Sequence, residues 1–400
     1  MKFFPHLEEA MLNRKEDKGS TAVRVARVWP SEASAELYDK RKNQIAGRCH
    51  RRSYFRMIGE QEQNKTDFRG LMKFFLGDVC EALVVDLTKA AGIHVANGVR
   101  IYSDDIQMSF ELDLVVKDPT TNQGIIVENK SYSSFVKAQD LKAGKPALDN
   151  SIQALLYLNE VRTGAALKLW IQKCIEEKAK AEAAGDFQSR FAKFQYTPEN
   201  VESLDDGPLI AKLVYEDRAE CSTFEFEMAM WEDPFDGLHY PQIDGSIWKL
   251  FAVESVYERY KTLQAYWEAA RDQAMYQLDS QGVREPPYED KEAFDAYWER
   301  LGKELRNLPS SYWPPAEYEW SYSKDKIETL WKEGLLGKTK YNEYRTVLEG
   351  RNRKPRPLPR IGDWQCEWCN YLPKCAAVEY PQFADISYDL IQIDPLEEAA

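Results

Sequence analysis

The chain lacks any apolar segment of the kind that crosses a bilayer, and its first residues do not form a secretory signal. No uncharged run is long enough to span a membrane, and residues 1–17 have an early proline and acidic residues within a short apolar part. A surplus of positive charge is also lacking, because the formal net charge is −13. The composition predicts a cytoplasmic protein with no membrane contact, in which any nucleic-acid contact would come from local basic patches.

Histidine and cysteine are scarce, with four and seven residues in 400. An odd number of cysteines without a signal favours a reduced compartment over a disulfide framework. No nucleotide-driven motor is indicated, because residues 334–339, GLLGKT, lack the G-x4-GK[ST] spacing and a preceding strand. With 44% apolar residues the chain can bury a large core, as one elaborated domain or about two or three smaller ones.

The most informative stretch is residues 110–130, whose pattern predicts a β-hairpin. Two apolar runs flank a turn-rich break at 118–122. The strand period of two places Asp113 of the first strand on the same side as Glu128 and Lys130 of the second. Two carboxylates beside a lysine form a hard-oxygen site for Mg²⁺ or Mn²⁺. Taken alone the pattern is ambiguous, because charged residues on the exposed face of a hairpin are usually just solvated.

Two predicted helices place further polar side chains beside apolar neighbours. Residues 68–90 show helical periodicity, with Glu81 inside the apolar run. A second helix is predicted from Pro146, and its Gln153 and Tyr157 share one face because they are four residues apart. Glu81 either lies at the edge of the apolar stripe or serves a function. The Gln153–Tyr157 pair either holds a phosphate, orders the acids or is an ordinary polar edge.

Four motifs in chain order resemble those of the RecB-like branch of the PD-(D/E)XK nuclease superfamily. They are Gly77-x-x-x-Glu81, Asp113, Glu128-x-Lys130 and Gln153-x-x-x-Tyr157. Many members carry histidine where this chain has Glu81, a variant associated with phage-type exonucleases. The resemblance implies an α/β fold with a restriction-endonuclease-like core, in which helices flank a mixed central sheet, and Mg²⁺ or Mn²⁺ as catalytic metal.

The same resemblance implies a role for each matched residue. Lys130 would orient the attacking water or stabilise the charge of the pentacovalent phosphate. Gln153 and Tyr157 would position the DNA strand near the metals. The metal ligands would be Glu81, Asp113, Glu128 and the carbonyl of Asn129.

Near the C-terminus, Cys366, Cys369 and Cys375 form a C-x2-C-x5-C run. Three thiols this close are typical of a metal or cluster site, and all four histidines lie far upstream. Cys49 resembles the remote N-terminal cysteine of the iron–sulfur RecB-like nucleases, the CRISPR-associated exonuclease family and AddB-type subunits. This resemblance implies a [4Fe–4S] cluster on the four cysteines, with Cys80 as the rival to Cys49.

Two basic segments are candidate DNA contacts. Residues 47–56 interleave arginines with aromatic residues, which suits phosphate contact and base stacking, although a basic helix start at the surface is the alternative. Residues 351–360 are basic and broken by prolines, and a plain linker is the alternative. The predicted DNA-binding residues are Arg48, Arg51, Arg52, Arg56, Arg353, Lys354 and Arg356.

The chain is expected to divide into four segments. A long helix is predicted at Trp248–Ala270, and strands at Leu209–Tyr215 and Thr223–Met228. The segments are an N-terminal part at 1–45, a PD-(D/E)XK nuclease core at 46–230, a helical aromatic-rich insertion at 231–350, and a basic linker with the Fe–S cluster segment at 351–400.

The function implied by the resemblance is a metal-dependent DNA nuclease, most simply an exonuclease on single-stranded DNA or frayed ends. One alternative is a non-catalytic or conditionally active DNA-end-binding subunit, with recombination, repair or spacer-acquisition proteins as partners. Another is a DNA-binding module in which the thiols hold structural Zn²⁺ and the hairpin acids are incidental. Cleavage polarity and assembly into a homo-oligomer stay open.

Overall fold

The structure is a computed structural model. It describes residues 29–37, 45–60, 68–103, 108–132, 135–186, 191–218, 220, 222–287 and 289–315, without the side chains of 68–71 and 135–136. Of the C-terminal region it describes residues 328, 331, 332, 338, 341, 342, 345, 369, 371, 374 and 375. Outside the described residues lie four predicted site residues, Cys366, Arg353, Lys354 and Arg356, and most of the segments 1–45 and 351–400.

A large mixed sheet forms the centre of the described structure. Its eight strands follow the order β10-β9-β8-β7-β5-β4-β3-β6, in which β5 and β7 are parallel and all other neighbours antiparallel. Strands β1 and β2 form a separate antiparallel pair. The strands are β1 Ser34–Glu36, β2 Ile45–Gly47, β3 His94–Ser103, β4 Met108–Lys117, β5 Gly124–Tyr132, β6 Gln195–Tyr196, β7 Ile210–Asp217, β8 Ser222–Glu232, β9 His239–Ile243 and β10 Ser246–Ile247.

Helices flank this sheet, and several lie in the connection between β5 and β7. Parallel neighbours require such a crossover, because a tight turn can join only antiparallel strands. Among the described residues the α-helices are α1 His50–Met57, α2 Phe68–Ala90, α3 Phe135–Lys142, α4 Leu148–Val161, α5 Gly164–Ala183, α6 Pro198–Ser203, α7 Val253–Ser280 and α8 Lys291–Asn307. None of these helices combines the length and apolar composition needed to cross a bilayer.

The predicted hairpin is β4 and β5, and its turn is held by one side chain. The Asp118 carboxylate accepts hydrogen bonds from the backbone N–H groups of Thr120 and Thr121, both at 2.8 Å. Asn122 adopts a positive φ of 60°, which asparagine tolerates better than most residues. The turn therefore fixes the register that places Leu114 opposite Val127.

Helix α2 covers the sheet with only part of its apolar surface. Val85 packs with Leu114 and Val127 in a small cluster against the strands. By contrast, Phe74 is 65% exposed and Leu83 58% exposed. Apolar residues occur around most of the helix, so one packed face cannot bury them all. The predicted helix at 68–90 is confirmed.

The α/β class with a mixed sheet flanked by helices is confirmed. The expected boundary between residues 230 and 231 falls inside β8, and the sheet continues through β9 and β10 to Ile247. The stretch from 231 is therefore not helical at its start. Its long helix begins at Val253 rather than Trp248, after Phe251 and Ala252 have been buried against the core.

Candidate active site

Asp113 and Glu128 lie side by side on neighbouring strands. The paired part of β4 and β5 ends at Leu114 and Val127, and the next residues on the two strands are Asp113 and Glu128. The carboxylate of Glu128 is close enough to that of Asp113 to raise its pKa. The structure thus brings the two predicted carboxylates together.

Glu128 is a fully buried acid whose carboxylate is paired with an ammonium group. Its exposed fraction is 0%, and neither oxygen accepts a hydrogen bond of ordinary geometry from the described residues. The ammonium of Lys130, two residues along β5, forms an ion pair with it. Removing a carboxylate from water costs several kcal/mol unless other groups compensate, and one ammonium leaves much of this carboxylate unsatisfied.

The two carboxylates and the ammonium influence one another strongly. Burial and the nearby Glu128 raise the pKa of Asp113 well above its ordinary value, while Lys130 works against the rise. Burial alone would lower the pKa of Lys130, but the carboxylates of Glu128 and Asp113 outweigh it and raise that pKa. Lys130 is therefore an ammonium at neutral pH, suited to stabilising negative charge rather than to removing a proton.

Glu81 of α2 belongs to the same electrostatic neighbourhood. Burial raises the pKa of Glu81, Lys193 lowers it, and nearby acids that include Glu111 and Glu128 raise it further. Glu81 in turn raises the pKa of Asp113. The three side-chain metal ligands predicted from the sequence therefore lie in one electrostatic neighbourhood.

Gln153 and Tyr157 are buried behind the acids rather than exposed to a ligand. Gln153 donates from Nε2 to the Tyr157 hydroxyl at 2.7 Å, and that hydroxyl donates to the Glu111 carbonyl at 3.2 Å. Burial raises the pKa of Tyr157, and the carboxylates of Glu128 and Asp113 add to the rise. The pair fixes α4 to β4 next to the acids, which is an ordering role rather than direct contact with a strand.

We expect Tyr157→Phe to destabilise the protein by about 1 kcal/mol, because it removes one hydroxyl that makes two buried hydrogen bonds. Urea unfolding of the variant and wild type measures the difference. Tyr276→Phe is the matched control, since Tyr276 is 70% exposed on α7. Equal stability of Tyr157→Phe and wild type would contradict the ordering role.

Glu111 and Arg100 border the cluster and are absent from the residues predicted as a site. They are cross-strand partners on β4 and β3 and form an ion pair. The same period of two that places Asp113 also places Glu111 on its side, so the signal for Glu111 was available in the sequence. Arg100 has no comparable signal, because its strand shows no distinct motif.

The side chains of the acid cluster are of the type that binds a divalent metal, but they are not arranged to hold one. Among the described residues, no group of three or more histidine, cysteine, aspartate or glutamate side chains is arranged to hold a metal ion. The Lys130 ammonium takes the place beside Glu128 that such an ion would need. Carboxylate oxygens are the ligands that Mg²⁺ and Mn²⁺ prefer, so the donor set fits such an ion. Asn129, the fourth predicted ligand through its carbonyl, lies between Glu128 and Lys130, with its side chain 3.4 Å from Glu216.

Helix α1 carries three of the arginines predicted to contact DNA, and two of them are engaged within the protein. Arg51 is only 5% exposed, and its Nε donates to the Pro314 carbonyl at 2.9 Å. Arg56 forms an ion pair of 2.7 Å with Glu32. Arg51 is too buried for the predicted DNA contact, because its side chain lies between the rest of α1 and Pro314, which follows α8. Arg48 and Arg52 are half-buried, and Nε of Arg48 has no hydrogen-bond partner among the described residues.

The described C-terminal residues that include Cys369 and Cys375 pack against α1, which lies more than 300 residues earlier in the chain. Cys49 is the residue immediately before α1, and Arg51 Nη1 donates to Cys375 Sγ at 3.3 Å. Burial raises the pKa of the Cys369 thiol, and Cys375 raises it further, which places these two thiols near each other. The structure therefore brings Cys369 and Cys375 to the helix that begins after Cys49.

Two other described cysteines lie elsewhere. Burial raises the pKa of Cys80, and the next cause is its contact with Glu216 on β7. Cys174 is buried on α5 and accepts a hydrogen bond from the Arg100 N–H at 3.3 Å. Cys80 thus lies beside β7, whereas Cys49 immediately precedes the helix whose Arg51 contacts Cys375.

No family model, curated protein or solved structure matches this chain.

Asp149, at the start of α4, connects the acid cluster with the cysteine-bearing corner. Its carboxylate raises the pKa of Lys130 and also that of Arg48, although burial lowers the Arg48 pKa overall. Arg48 is itself close enough to Cys369 for that thiol to affect its pKa.

Proposed function

We propose that this chain is a metal-dependent nuclease that hydrolyses phosphodiester bonds of DNA, most simply as an exonuclease on single-stranded or frayed ends. The observation that carries the proposal is the closeness of Asp113, Glu128 and Lys130 on adjacent strands, with Glu128 fully buried and paired with Lys130. A structural role would favour an apolar pair at this place, because buried charges are costly and often replaceable without loss of stability.

Glu81, Asp113 and Glu128 would hold Mg²⁺ or Mn²⁺, with the Asn129 carbonyl as a further ligand. The metal, when bound, would polarise the scissile phosphate and lower the pKa of a bound water. Lys130 would move from Glu128 toward the phosphate oxygens as the carboxylate took up its new partner. Its ammonium would then offset the negative charge that develops on the phosphate. Gln153 and Tyr157 would keep β4 and its acid in place.

We also propose a more specific fold for the central part of the chain. A restriction-endonuclease-like core would consist of α2, β3, β4, β5, α4 and β7, with the acids on the central strands. In support, β3 to β5 form an antiparallel meander and β7 joins parallel to β5 after the helices. The strands β8 to β10 and the helices α7 and α8 would be additions to that core.

We also propose a [4Fe–4S] cluster on Cys49, Cys366, Cys369 and Cys375. The described thiols fit such a group, because Cys369 and Cys375 are close to each other and to α1, which starts after Cys49. Arginines beside them would offset the negative charge of thiolate ligands. The cluster would join segments about 300 residues apart and so would restrict the unfolded chain.

Arg51→Lys is expected to make the cluster more labile. Arg51 donates to both Pro314 and Cys375 and stacks 5.9 Å from the Trp313 ring, which a lysine cannot reproduce with one ammonium. We expect wild type to carry about four irons per chain and the variant to lose its visible absorbance roughly 10-fold faster in the presence of a chelator.

Arg271→Lys is the matched control, because Arg271 also stacks on a tryptophan, Trp267, at 4.9 Å but lies on α7. Equal chelation rates for Arg51→Lys and wild type would contradict a role for Arg51 at the cluster. A colourless, zinc-loaded wild type would contradict the cluster itself.

The nuclease proposal is tested by incubating the purified chain with end-labelled DNA and Mg²⁺ or Mn²⁺. Shortening of the label that stops on addition of EDTA supports it. Tight DNA binding with no cleavage under any divalent metal would contradict it and would favour the DNA-end-binding alternative.

A further inference from the structure

An open groove lies between α5 and the edge strand β6, and it has no part in the acid cluster. Ile175 and Lys178 of α5 form one wall, and Phe194 and Tyr196 form the other. The rings of Phe194 and Tyr196 are stacked, with centroids 5.7 Å apart and planes 14° from parallel. Phe194 is 1% exposed, whereas Tyr196 is 39% exposed, so the buried ring supports the exposed one.

The segment that carries these rings is fixed to the sheet. Tyr196 pairs with Ala96 of β3, and Asn97 Nδ2 donates to the Lys193 carbonyl at 2.8 Å. Gly98 also packs closely there, since a Cβ atom on it would lie 3.1 Å from the Lys193 backbone. The exposed ring is therefore held in a defined position, and a ligand that stacks on it would not have to order a loop.

Two lysines contact the segment that carries this ring and a third belongs to it, while Glu182 also lines the groove. Lys178 Nζ donates to the Phe194 carbonyl at 2.8 Å, and Lys89 bonds the Gln195 side chain. Lys193 is exposed, and its ammonium lies near enough to Glu81 to lower the pKa of that acid. A stacked aromatic ring flanked by ammonium groups suits a planar base with adjacent phosphates.

We propose that the groove between α5 and β6 binds a single-stranded nucleic acid, with a base stacked on Tyr196 and phosphates beside Lys178 and Lys193. This inference rests on the proposed nuclease function and assigns it a strand-holding site outside the metal ligands.

The test uses the full chain without added Mg²⁺ or Mn²⁺ and a single-stranded oligonucleotide that contains 2-aminopurine. We expect binding to quench the 2-aminopurine fluorescence and Tyr196→Ala to weaken binding about 10-fold while abolishing most of the quenching. Tyr196→Phe retains the ring and should bind like wild type. Tyr276→Ala, at a residue 70% exposed on α7, is the matched control and should change neither quantity.

The outcomes separate this inference from the nuclease proposal. If Tyr196→Ala binds and quenches like wild type, the groove inference is wrong, whether or not the wild type cuts DNA. If the oligonucleotide is not quenched by wild type, and Tyr196→Ala and Tyr196→Phe weaken binding equally, the proposed stacking of a base on Tyr196 is wrong. If Tyr196→Ala alone loses binding while no divalent metal produces cleavage, the groove inference holds and the nuclease proposal fails.

Discussion

Glu128→Gln is expected to reduce metal-dependent DNA cleavage by about 1000-fold or more. The substitution keeps the size of the side chain but removes the charge that a divalent ion requires, and metal stabilisation of the transition state is worth several kcal/mol. Glutamine would also present an amide N–H₂ group, which cannot bind a metal, in a pocket with 0% exposure. Cleavage of end-labelled DNA and binding of Mn²⁺ by titration calorimetry measure the two effects.

Glu225→Gln is the matched control for this substitution. Glu225 lies on β8 of the same sheet and forms a 3.2 Å ion pair with Lys212, but its side chain is 55% exposed. We expect this control to cleave DNA and bind Mn²⁺ as wild type does. A folded Glu128→Gln variant with unchanged Mn²⁺ affinity would show that Glu128 is not a metal ligand. Circular dichroism of both variants establishes that they are folded.

Asp113→Asn should abolish cleavage and yet stabilise the protein in the absence of divalent metal, by roughly 1 kcal/mol at neutral pH. Burial and Glu128 raise the pKa of Asp113, so the folded state disfavours its ionised form. Asparagine removes that unfavourable charge, while Glu128 remains to pair with Lys130. Stability and function thus respond in opposite directions at this residue.

The stabilisation expected from Asp113→Asn should change with pH in one direction. A carboxyl group whose pKa is raised in the folded state destabilises the fold fully above that folded pKa, and the penalty disappears as the pH falls and the group takes up a proton. The advantage of Asp113→Asn over wild type should therefore shrink on acidification. Urea unfolding at a series of pH values, without added Mg²⁺ or Mn²⁺, measures it.

Asp118→Asn is the control with the opposite trend. Hydrogen bonds from the backbone of Thr121 and Thr120 lower the pKa of Asp118, so its carboxylate supports the turn above the unfolded pKa and loses this effect as the pH falls. Asp118→Asn should therefore not stabilise the protein at neutral pH. If Asp113→Asn proves less stable than wild type there, the view of Asp113 as a destabilising, functional charge is wrong.

The hairpin and its acids could be predicted from the sequence because both depend on local rules. The alternation along β4 and β5 and the turn chemistry of Asp118 are sufficient to place Asp113 near Glu128. The helical spacing of Gln153 and Tyr157 likewise predicts their hydrogen bond. These features need only residues that are near one another in the chain.

Contacts between distant segments could not be predicted in this way. Arg51 belongs to a basic, aromatic stretch that is typical of a DNA contact, but its actual partners, Pro314 and Cys375, are more than 260 residues away. Similarly, the exposed apolar residues of α2 depend on which part of the helix the sheet covers, and helical periodicity alone does not show this. The ion pair between Lys130 and Glu128 depends on how deeply Glu128 is buried.

Degradation of end-labelled single-stranded and double-stranded DNA, by wild type and by Lys130→Ala, is the most direct test of the central claim. We expect wild type to shorten the DNA with Mg²⁺ or Mn²⁺, EDTA to stop it, and Lys130→Ala to be at least about 100-fold slower because the developing phosphate charge loses its ammonium. If wild type and Lys130→Ala cut equally, or if neither cuts while both bind DNA, the acids and lysine of the hairpin are not a nuclease active site.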